Sequence, residues 1–434
     1  MQRKAHRIAI NRRSVLRAGV VCSIGCIADQ ALGKSRVFSD ISSFHERNAQ
    51  MLDNEFSDLI ERLNVPGLAA AIIVDGQLEW AKGYGWASIE DRRPMTADTI
   101  QNVGSVTKTV TTTLALQDLE AQRLGLDSDI NEYLDFSVRN PNHPDVPITL
   151  RQLLSHRSSI RDGAAYLESY RCGDQTVTLE NWLRSYFVTS ATSDRFHSWA
   201  PGTVNPPNLV AAYSNVAFGL IGLLSERVSG RPYEALCRDR IFNPLGMTST
   251  GFSLNSIDRS REAVPYKTLA KDATDKDVSP PERALARYPD IALNGGGHFP
   301  YCSYSFATPP DGLMRTNVRD LAKFMLAWIG NGTLMQHGGK VARLLSAETV
   351  TKALSPVHFE RALGWHEVHN YFGSNDPIVG SKLMGHNGRD PGIGSVALFR
   401  PEDRSGFVMI FNTSYDDAIA RDGLKIYLEA LASQ

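Results

Sequence analysis

The sequence predicts an α+β (mixed α/β) fold, with an antiparallel sheet flanked by N- and C-terminal helices and with an inserted all-helical domain. Strand-like apolar runs occur near both ends of the chain, whereas capped helical patterns fill its middle. Of the 434 residues, 42% are hydrophobic and 21% are charged, as in a globular protein. We expect a folded domain over about 40–430, with sheet parts at about 44–104 and 311–432 and the helical insert at about 105–310.

The first sheet part begins with a helix and a hairpin. Apolar residues at helical spacing predict a helix over about 43–63. Residues 67–74 and 77–86 flank Asp75-Gly76, which is a strong two-residue hairpin signal. Because 68–74 is apolar throughout, we expect this strand to be central and covered on both faces.

Helical patterns begin at Ser105. The first helix, 105–123, contains five threonines, which are poor helix formers, so burial by neighbouring elements must stabilise it. Residues 253–310 show no clear period. Further helices are predicted at 150–156, 179–187, 215–229, 232–242 and 317–329.

The last third of the chain returns to strands. Strand-like runs occupy 362–368, 382–386 and 395–399, and a hairpin over 395–412 precedes a closing helix at 416–432. Since strands from both ends surround a helical middle, we expect the two termini to build one sheet.

The N-terminus has the pattern of a targeting segment. It is basic and carries Arg12-Arg13, a short uncharged stretch at 18–28 and the small residues Ala31-Leu32-Gly33. This order is typical of a twin-arginine signal peptide over 1–33, which predicts a periplasmic or extracellular protein. A basic disordered tail is one alternative. Lipoprotein anchoring is another, because 23–26 resembles a lipoprotein cleavage site with serine in place of leucine.

Charge, hydropathy and cysteine spacing limit the partners. The net charge of −1 gives no non-specific electrostatic hold on nucleic acid or anionic lipid. No apolar run is long enough for a stable membrane span. No cysteine and histidine group has zinc-site spacing, so we expect no metal and no cofactor. The oligomeric state is left open.

Three cysteines remain once the predicted signal, with Cys22 and Cys26, is removed. Cys237 lies in a helical pattern and is expected to be a small buried hydrophobic residue. Cys172 and Cys302 lie in aromatic-rich loop segments and could form a disulfide in an oxidising compartment.

Ser105 is the only serine with a lysine, Lys108, three residues later. A helix starting at Ser105 would place the hydroxyl and the amine on one face. An enclosed amine can take the hydroxyl proton and make serine a nucleophile, and a helix N-terminus favours a developing oxyanion. Since an isolated pair of this kind is more often an ordinary surface pair, the other segments decide.

Tyr213-Ser214-Asn215 lies directly before an apolar helix. The tyrosine can pass protons between a nucleophile and a leaving group, and the asparagine amide can orient the lysine and a substrate. The same residues could instead serve only as a helix cap.

Gly385-His386-Asn387-Gly388 is expected at the end of a strand, where glycine lets a substrate approach closely. The backbone N–H groups of Arg389 and Ser105 could then form an oxyanion hole. His386 could also be an ordinary loop histidine. The other histidines have no matching context and are interpreted as structural: His156, His197, His298, His358 and His366.

In this order, the three segments resemble the serine β-lactamase, D-alanyl-D-alanine carboxypeptidase and esterase superfamily. Segments 148–156, 199–202, 213–224 and 241–247 look like further landmarks, and the resemblance covers roughly 45–430. It implies a β-lactamase/transpeptidase-like fold. It implies Ser105 as acylating nucleophile, Lys108 as general base, Tyr213 as proton shuttle and Asn215 as positioning amide. We expect Asn215, together with His386, Gly388 and Arg389, to bind the substrate.

Two positions depart from the superfamily pattern. His386 stands where class C β-lactamases have the lysine of Lys-Thr-Gly. A histidine at this position is similar to carboxypeptidases and esterases of the superfamily, and it disfavours efficient β-lactam hydrolysis. At that position an imidazolium could bind a substrate carboxylate. His156-Arg157-Ser158-Ser159 replaces His-Thr-Ser-Gly and is interpreted as structural.

The resemblance implies an exported serine hydrolase that acts on an ester, or on a peptide or amide bond next to a D-amino acid. A small molecule or a peptide would be its substrate. The alternatives are a class C-like β-lactamase, a penicillin-binding sensor that stays acylated, and an acyl-transferase.

Overall fold

The computed structural model describes residues 36–189, 199–200, 212–270, 273–288, 297–335, 339, 341–357, 361–368 and 383–433. The chain divides into two compact units, Met1–Ser43 and Phe44–Gln434. The predicted signal peptide at 1–33, with its lipoprotein alternative, lies outside the described residues, as do His197 and His358. None of the helices within the described ranges is long and apolar enough to cross a membrane.

The strands in chain order are β1 (Gly67–Val74), β2 (Gln77–Ser88), β3 (Arg93–Pro94), β4 (Gln101–Asn102), β5 (Arg171–Cys172), β6 (Tyr266–Leu269), β7 (Gly297–Pro300), β8 (Tyr304–Ser305), β9 (Arg315–Thr316), β10 (Thr333–Met335), β11 (Val341–Arg343), β12 (His366–Val368), β13 (Leu383–Asp390), β14 (Ile393–Arg400) and β15 (Ser405–Phe411).

The α-helices are α1 (Arg36–Arg62), α2 (Thr107–Glu120), α3 (Leu150–Leu154), α4 (Ala164–Leu167), α5 (Leu179–Arg184), α6 (Asn215–Ser229), α7 (Tyr233–Cys237), α8 (Asn243–Leu245), α9 (Pro280–Ala284), α10 (Pro309–Gly312), α11 (Val318–Ile329), α12 (Ala347–Leu354) and α13 (Asp417–Ala432).

One seven-stranded antiparallel sheet organises the described residues, in the order β12-β13-β14-β15-β1-β2-β3. Strand β1 pairs with β2 on one side and with β15 on the other, where Leu68 faces Phe411. The two ends of the chain therefore build one sheet, as the sequence predicts.

Strand β1 is buried along its whole length. Its alternate residues Ala69, Ala71 and Ile73 join the larger hydrophobic cluster, which contains residues of α2, α6 and α11. Leu68, Ala70 and Ile72 join a second cluster with residues of α13 and of α1 from Phe44 onward. Helices thus cover both sheet faces, which confirms the prediction of a central strand.

Helix α2 lies in the interior, and its five threonines are all buried. Two of the hydroxyl groups accept hydrogen bonds from neighbouring elements: Trp328 Nε1 donates to Thr113 Oγ1 at 3.2 Å, and the Met314 N–H donates to Thr107 Oγ1 at 3.0 Å. These contacts supply the stabilisation that a threonine-rich helix lacks on its own.

The structure corrects several element boundaries. The insert is mainly helical, but the pairs β5–β8 and β6–β7 lie within 105–310, so it is not all-helical. Ser105 lies in a 3₁₀ turn, Gly104–Val106, that precedes α2. The His386 segment lies inside β13 rather than at a strand end, because β13 keeps pairing with β14 as far as Asp390.

Candidate active site

The turn that carries Ser105 is pressed against strand β13. Gly104 has a φ of +49°, and a Cβ there would lie 2.9 Å from the Arg389 backbone nitrogen. A Cβ on Gly388 would lie 1.9 Å from the Val103 carbonyl oxygen. Both positions therefore require glycine, and the close approach brings Ser105 beside the strand that carries His386 and Arg389.

Ser105, Lys108 and Tyr213 converge on one hydroxyl oxygen. Lys108 Nζ donates to Ser105 Oγ at 3.0 Å, and the Tyr213 hydroxyl donates to the same oxygen at 2.8 Å. Two groups that can accept or return a proton thus contact the candidate nucleophile.

Lys108 is enclosed, as the sequence analysis requires of a base. Its side chain is 0% exposed, and Nζ also donates to Asn215 Oδ1 and to the Asp311 carbonyl oxygen, each at 2.7 Å. With Ser105, these contacts use all three N–H donors of an ammonium group. When Lys108 is neutral, the contact with Ser105 can reverse, so that the hydroxyl donates to Nζ.

A buried carboxylate, which the sequence did not single out, lies near this lysine. Asp311 Oδ2 is 3.9 Å from Lys108 Nζ and accepts a hydrogen bond from the Tyr166 hydroxyl at 2.9 Å, while Thr308 Oγ1 donates to Oδ1. Burial raises the pKa of the Asp311 carboxyl to about 6, against the opposing effect of Lys108. At neutral pH Asp311 is therefore mainly ionised, within ion-pair distance of the lysine amine.

Asp390, at the end of β13, is a second buried acid. The Tyr170 hydroxyl donates to its Oδ1 at 2.5 Å, and burial raises its carboxyl pKa to about 7 from 3.8. The folded protein therefore holds a proton that the unfolded chain releases. The contribution of Asp390 to the free energy of unfolding is complete below the pKa that its carboxyl has in the unfolded chain, and it is lost as pH rises through about 7.

Replacing Asp390 with asparagine keeps an acceptor for Tyr170 and removes the ionisation. We expect the variant to exceed the wild type in free energy of unfolding at pH 8, by a few kcal/mol at most since one pKa unit is about 1.4 kcal/mol. The difference should disappear below about pH 4, near the unfolded pKa. Urea titrations across pH would measure it, with Asp145→Asn at an exposed site as control. An equal difference at every pH would contradict it.

His156, which the sequence analysis interpreted as structural, holds Tyr213 in place. Its ring stacks on the Tyr213 ring with a centroid distance of 4.2 Å. Its Nδ1 accepts from the Ser214 N–H at 3.2 Å, and its carbonyl oxygen accepts from the Ala212 N–H at 2.9 Å. Burial lowers the pKa of His156 well below 6.5, which keeps Nδ1 free to accept. The match of 148–156 to the superfamily was the one signal for this residue.

His386 is buried and lies beside a second histidine that the sequence analysis set aside. The His386 and His366 ring centroids are 4.8 Å apart, and His386 Nδ1 is 2.6 Å from the Asn387 carbonyl oxygen. Burial, and then His366, lower the pKa of His386 well below 6.5. Burial disfavours the charged ring and therefore argues against the expected imidazolium, whose binding of a substrate carboxylate stays a prediction.

Replacing His386 with asparagine should accordingly leave the pH–rate profile unchanged around the ordinary histidine pKa of about 6.5, since burial lowers the pKa of the ring below that range. The profile of kcat/KM with a carboxylate-bearing substrate measures this. His298→Asn, on β7 and with its own lowered pKa, is the matched control. Loss of an acidic limb in His386→Asn alone would contradict the assignment.

Gly388 and Arg389 meet the candidate nucleophile through their backbone. The Arg389 guanidinium lies 4.7 Å from the Tyr415 ring centroid, and its Nη2 is 3.6 Å from Asp417 Oδ1. Because the guanidinium contacts Tyr415 and Asp417, Arg389 would act on an oxyanion through its backbone N–H. This oxyanion-hole role stays a prediction.

Cys172 and Cys302 form a disulfide, with Cα atoms 5.7 Å apart, and Cys237 is a buried free thiol. The sequence predicted this pairing and this burial. In the part of the chain that the structure describes, no group of three or more metal-ligating side chains has the geometry to hold an ion.

A protein-family model described as Beta-lactamase matches residues 52–432. The chain belongs to the β-lactamase family. This β-lactamase-family chain is 22% identical to Protein flp of Staphylococcus aureus strain MRSA252, and the match covers 84% of this chain and 62% of Protein flp. It is also 22% identical to a β-lactamase of Yersinia enterocolitica, covering 88% of this chain and 91% of that protein.

Among solved structures, the D-amino acid amidase of Ochrobactrum anthropi SV3 superposes with a TM-score of 0.66 at 21% identity, covering 89% of this chain and 99% of the amidase. At that identity the likeness shows the fold alone. The family model therefore gives the family of the chain, and the superposition gives its fold. Because the chain spans less than two thirds of Protein flp, nothing of that protein's activity is carried over.

Proposed function

We propose that this chain is an exported serine hydrolase that forms an acyl-enzyme on Ser105 and hydrolyses an ester, or an amide bond next to a D-amino acid. One observation carries the proposal. Lys108 Nζ and the Tyr213 hydroxyl both contact Ser105 Oγ, at 3.0 and 2.8 Å, and the Lys108 side chain is fully enclosed.

The reaction proceeds in two halves. Neutral Lys108 takes the Ser105 proton while Oγ attacks the substrate carbonyl, and the backbone N–H groups of Ser105 and Arg389 stabilise the oxyanion. Tyr213, which is 39% exposed and thus reachable by substrate, delivers its proton to the leaving alcohol or amine and regains one from the Lys108 ammonium, which restores both groups. Water then attacks the ester carbonyl of the acyl-enzyme, which releases the acid and restores the Ser105 hydroxyl.

The buried His386, whose pKa burial lowers, supports an ester or amide substrate over a β-lactam. Class C β-lactamases place a charged lysine at this position, whereas the pKa of His386 is lowered by burial. A D-amino acid amidase has the same fold, so a D-amino acid amide is one of the substrates to test.

A class C-like β-lactamase is the second candidate, favoured by the similarity to the Yersinia enterocolitica protein along most of both chains. It uses the same Ser105, Lys108 and Tyr213 and differs in how fast water removes the acyl group. A penicillin-binding sensor is the limiting case in which that step is too slow for turnover.

Export is supported by Arg12-Arg13 and by the disulfide between Cys172 and Cys302, since disulfides persist in oxidising compartments. Fractionation of cells that carry the intact chain or an Arg12→Lys, Arg13→Lys variant tests it. Loss of the exported pool in the variant supports a twin-arginine signal, and an unchanged distribution contradicts it.

A substrate panel tests the activity. The mature protein is incubated with a p-nitrophenyl ester, a D-amino acid amide, a D-Ala-D-Ala peptide and a penicillin, and turnover and covalent adduct are scored for each. Turnover of the ester or a D-amino acid substrate above the penicillin is expected. Faster penicillin turnover would establish the β-lactamase candidate, and a persistent penicillin adduct without turnover of the others would establish the sensor.

A further inference from the structure

Asp162 makes a dense set of contacts at the N-terminus of α6, although nothing in the sequence marked it. Its Oδ1 accepts from the Asn215 and Val216 backbone N–H groups at 2.8 and 3.0 Å and from Ser214 Oγ at 3.1 Å. Its Oδ2 accepts from the Asn215 side-chain Nδ2 at 2.9 Å. One carboxylate therefore holds both the backbone and the amide of Asn215.

The last of these contacts determines which end of the Asn215 amide faces Lys108. An amide oxygen and an amide nitrogen occupy nearly the same volume, so their hydrogen-bond partners decide the orientation. An ionised carboxylate only accepts hydrogen bonds, so Asp162 selects the NH₂ end and leaves Oδ1 to accept from Lys108 Nζ at 2.7 Å. The reverse orientation would turn two N–H donors toward the lysine ammonium.

We propose that Asp162 is a positioning residue for the Ser105–Lys108 pair and acts through the Asn215 amide. The inference rests on the proposed serine-hydrolase function. Asp162 aligns the Asn215 oxygen, that oxygen fixes one of the three directions of Lys108 Nζ, and the remaining geometry directs Nζ at Ser105 Oγ.

A simple helix cap does not account for this arrangement. Helix α6 already has a cap, because Ser214 Oγ accepts from the Ala217 N–H at 3.1 Å. The contact from Asn215 Nδ2 to Asp162 adds nothing to the backbone N–H groups of the helix, but it connects the carboxylate to the lysine. A cap and a positioning residue can be separated by experiment.

Asp162→Asn is the sharpest variant because it keeps the size of the side chain while it removes the negative charge and turns one carboxylate oxygen into an NH₂ donor. The new NH₂ group would favour the reversed Asn215 amide, since it needs an acceptor. We expect the rate of p-nitrophenol release in the first turnover of a p-nitrophenyl ester to fall about 10- to 100-fold, the effect of misplacing a catalytic group by about 1 Å. The apparent KM should change little.

The same substitution in an Asn215→Ala background separates a helix-cap role of Asp162 from positioning through the Asn215 amide. If Asp162 acts through the amide, Asp162→Asn should add less than about twofold to the loss in that background, because coupled residues are not additive. Its effect on the melting temperature should be the same in both backgrounds, since the backbone contacts of the helix are common to them. Asp416→Asn, which alters the aspartate cap of α13, is the control for capping alone.

First-turnover rates measured for all four proteins decide the matter, with Ser105→Ala as the blank. The role of Asp162 would be overturned if Asp162→Asn lowered the rate by the same factor with and without Asn215, or if it caused no loss in the protein that keeps Asn215. Release that still depends on Ser105 would leave the proposed function intact. Release by Ser105→Ala at the wild-type rate would overturn the proposed function itself, and the positioning role with it.

Discussion

Replacement of Ser105 with alanine should reduce turnover of every substrate by about 10⁶-fold, which is the order seen when the nucleophile of a serine hydrolase is removed. The loss follows from the chemistry of the site. Ser105 Oγ is the atom on which Lys108 and Tyr213 converge, and alanine leaves both with no hydroxyl to activate. Ser105 is part-buried beside Gly104, so the smaller side chain fits without displacing neighbours.

Steady-state rates for the ester and D-amino acid substrates measure this effect. Ser346→Ala is a matched serine variant, since Ser346 caps α12 and makes no contact with the three site residues. It should lose some thermal stability and keep its kcat. A Ser105→Ala protein with more than a small fraction of wild-type turnover would show that another residue is the nucleophile.

Replacement of Lys108 with methionine should lower kcat at pH 7 by about 10²- to 10⁴-fold, the usual contribution of a general base. Methionine has a similar length and no charge. The variant loses the proton acceptor for Ser105 and leaves the buried Asp311 carboxylate without its cation. Burial has already raised the pKa of Asp311 to about 6, so Asp311 can take up a proton and limit the cost of the unpaired charge.

Folding and activity must be measured together for this variant. A cooperative thermal transition with a much reduced kcat is the expected outcome. Lys323→Met is the matched control, because Lys323 Nζ donates to the Gly246 carbonyl oxygen at 2.6 Å and to Asp320 at 2.8 Å, on α11. Near-wild-type kcat in a folded Lys108→Met protein would remove Lys108 as the base.

The main features of the fold follow from local patterns in the sequence. The uninterrupted apolar run 68–74 could only be satisfied by burial on both faces, and β1 is buried in that way. The threonine-rich helix required a buried position, and α2 has one. The Asp75-Gly76 turn joins β1 to β2 as predicted.

The three site segments could be found because each is a short contiguous run with a recognisable order. Asp162, His156 and Asp311 could not, because their partners are distant in sequence: Asp162 lies 53 residues from Asn215, and Asp311 lies 203 residues from Lys108. Polar contacts of this kind leave no period in the sequence. Tertiary packing alone brings them together.

The protonation state of His386 could also not be predicted from the sequence. A histidine has an ordinary pKa near about 6.5, so its charge depends on its surroundings. Pairing of β13 with β12 and β14 buries the ring beside His366, and the pKa falls. The sequence identified the residue but not its protonation.

The most direct test of the central claim is the intact mass of the protein after brief exposure to a p-nitrophenyl ester, followed by acid quench and peptide mapping. The proposed mechanism predicts one added acyl group per chain, located on the peptide that contains Ser105, and none on Ser105→Ala. An adduct on a different residue, or an equal adduct on Ser105→Ala, would contradict it.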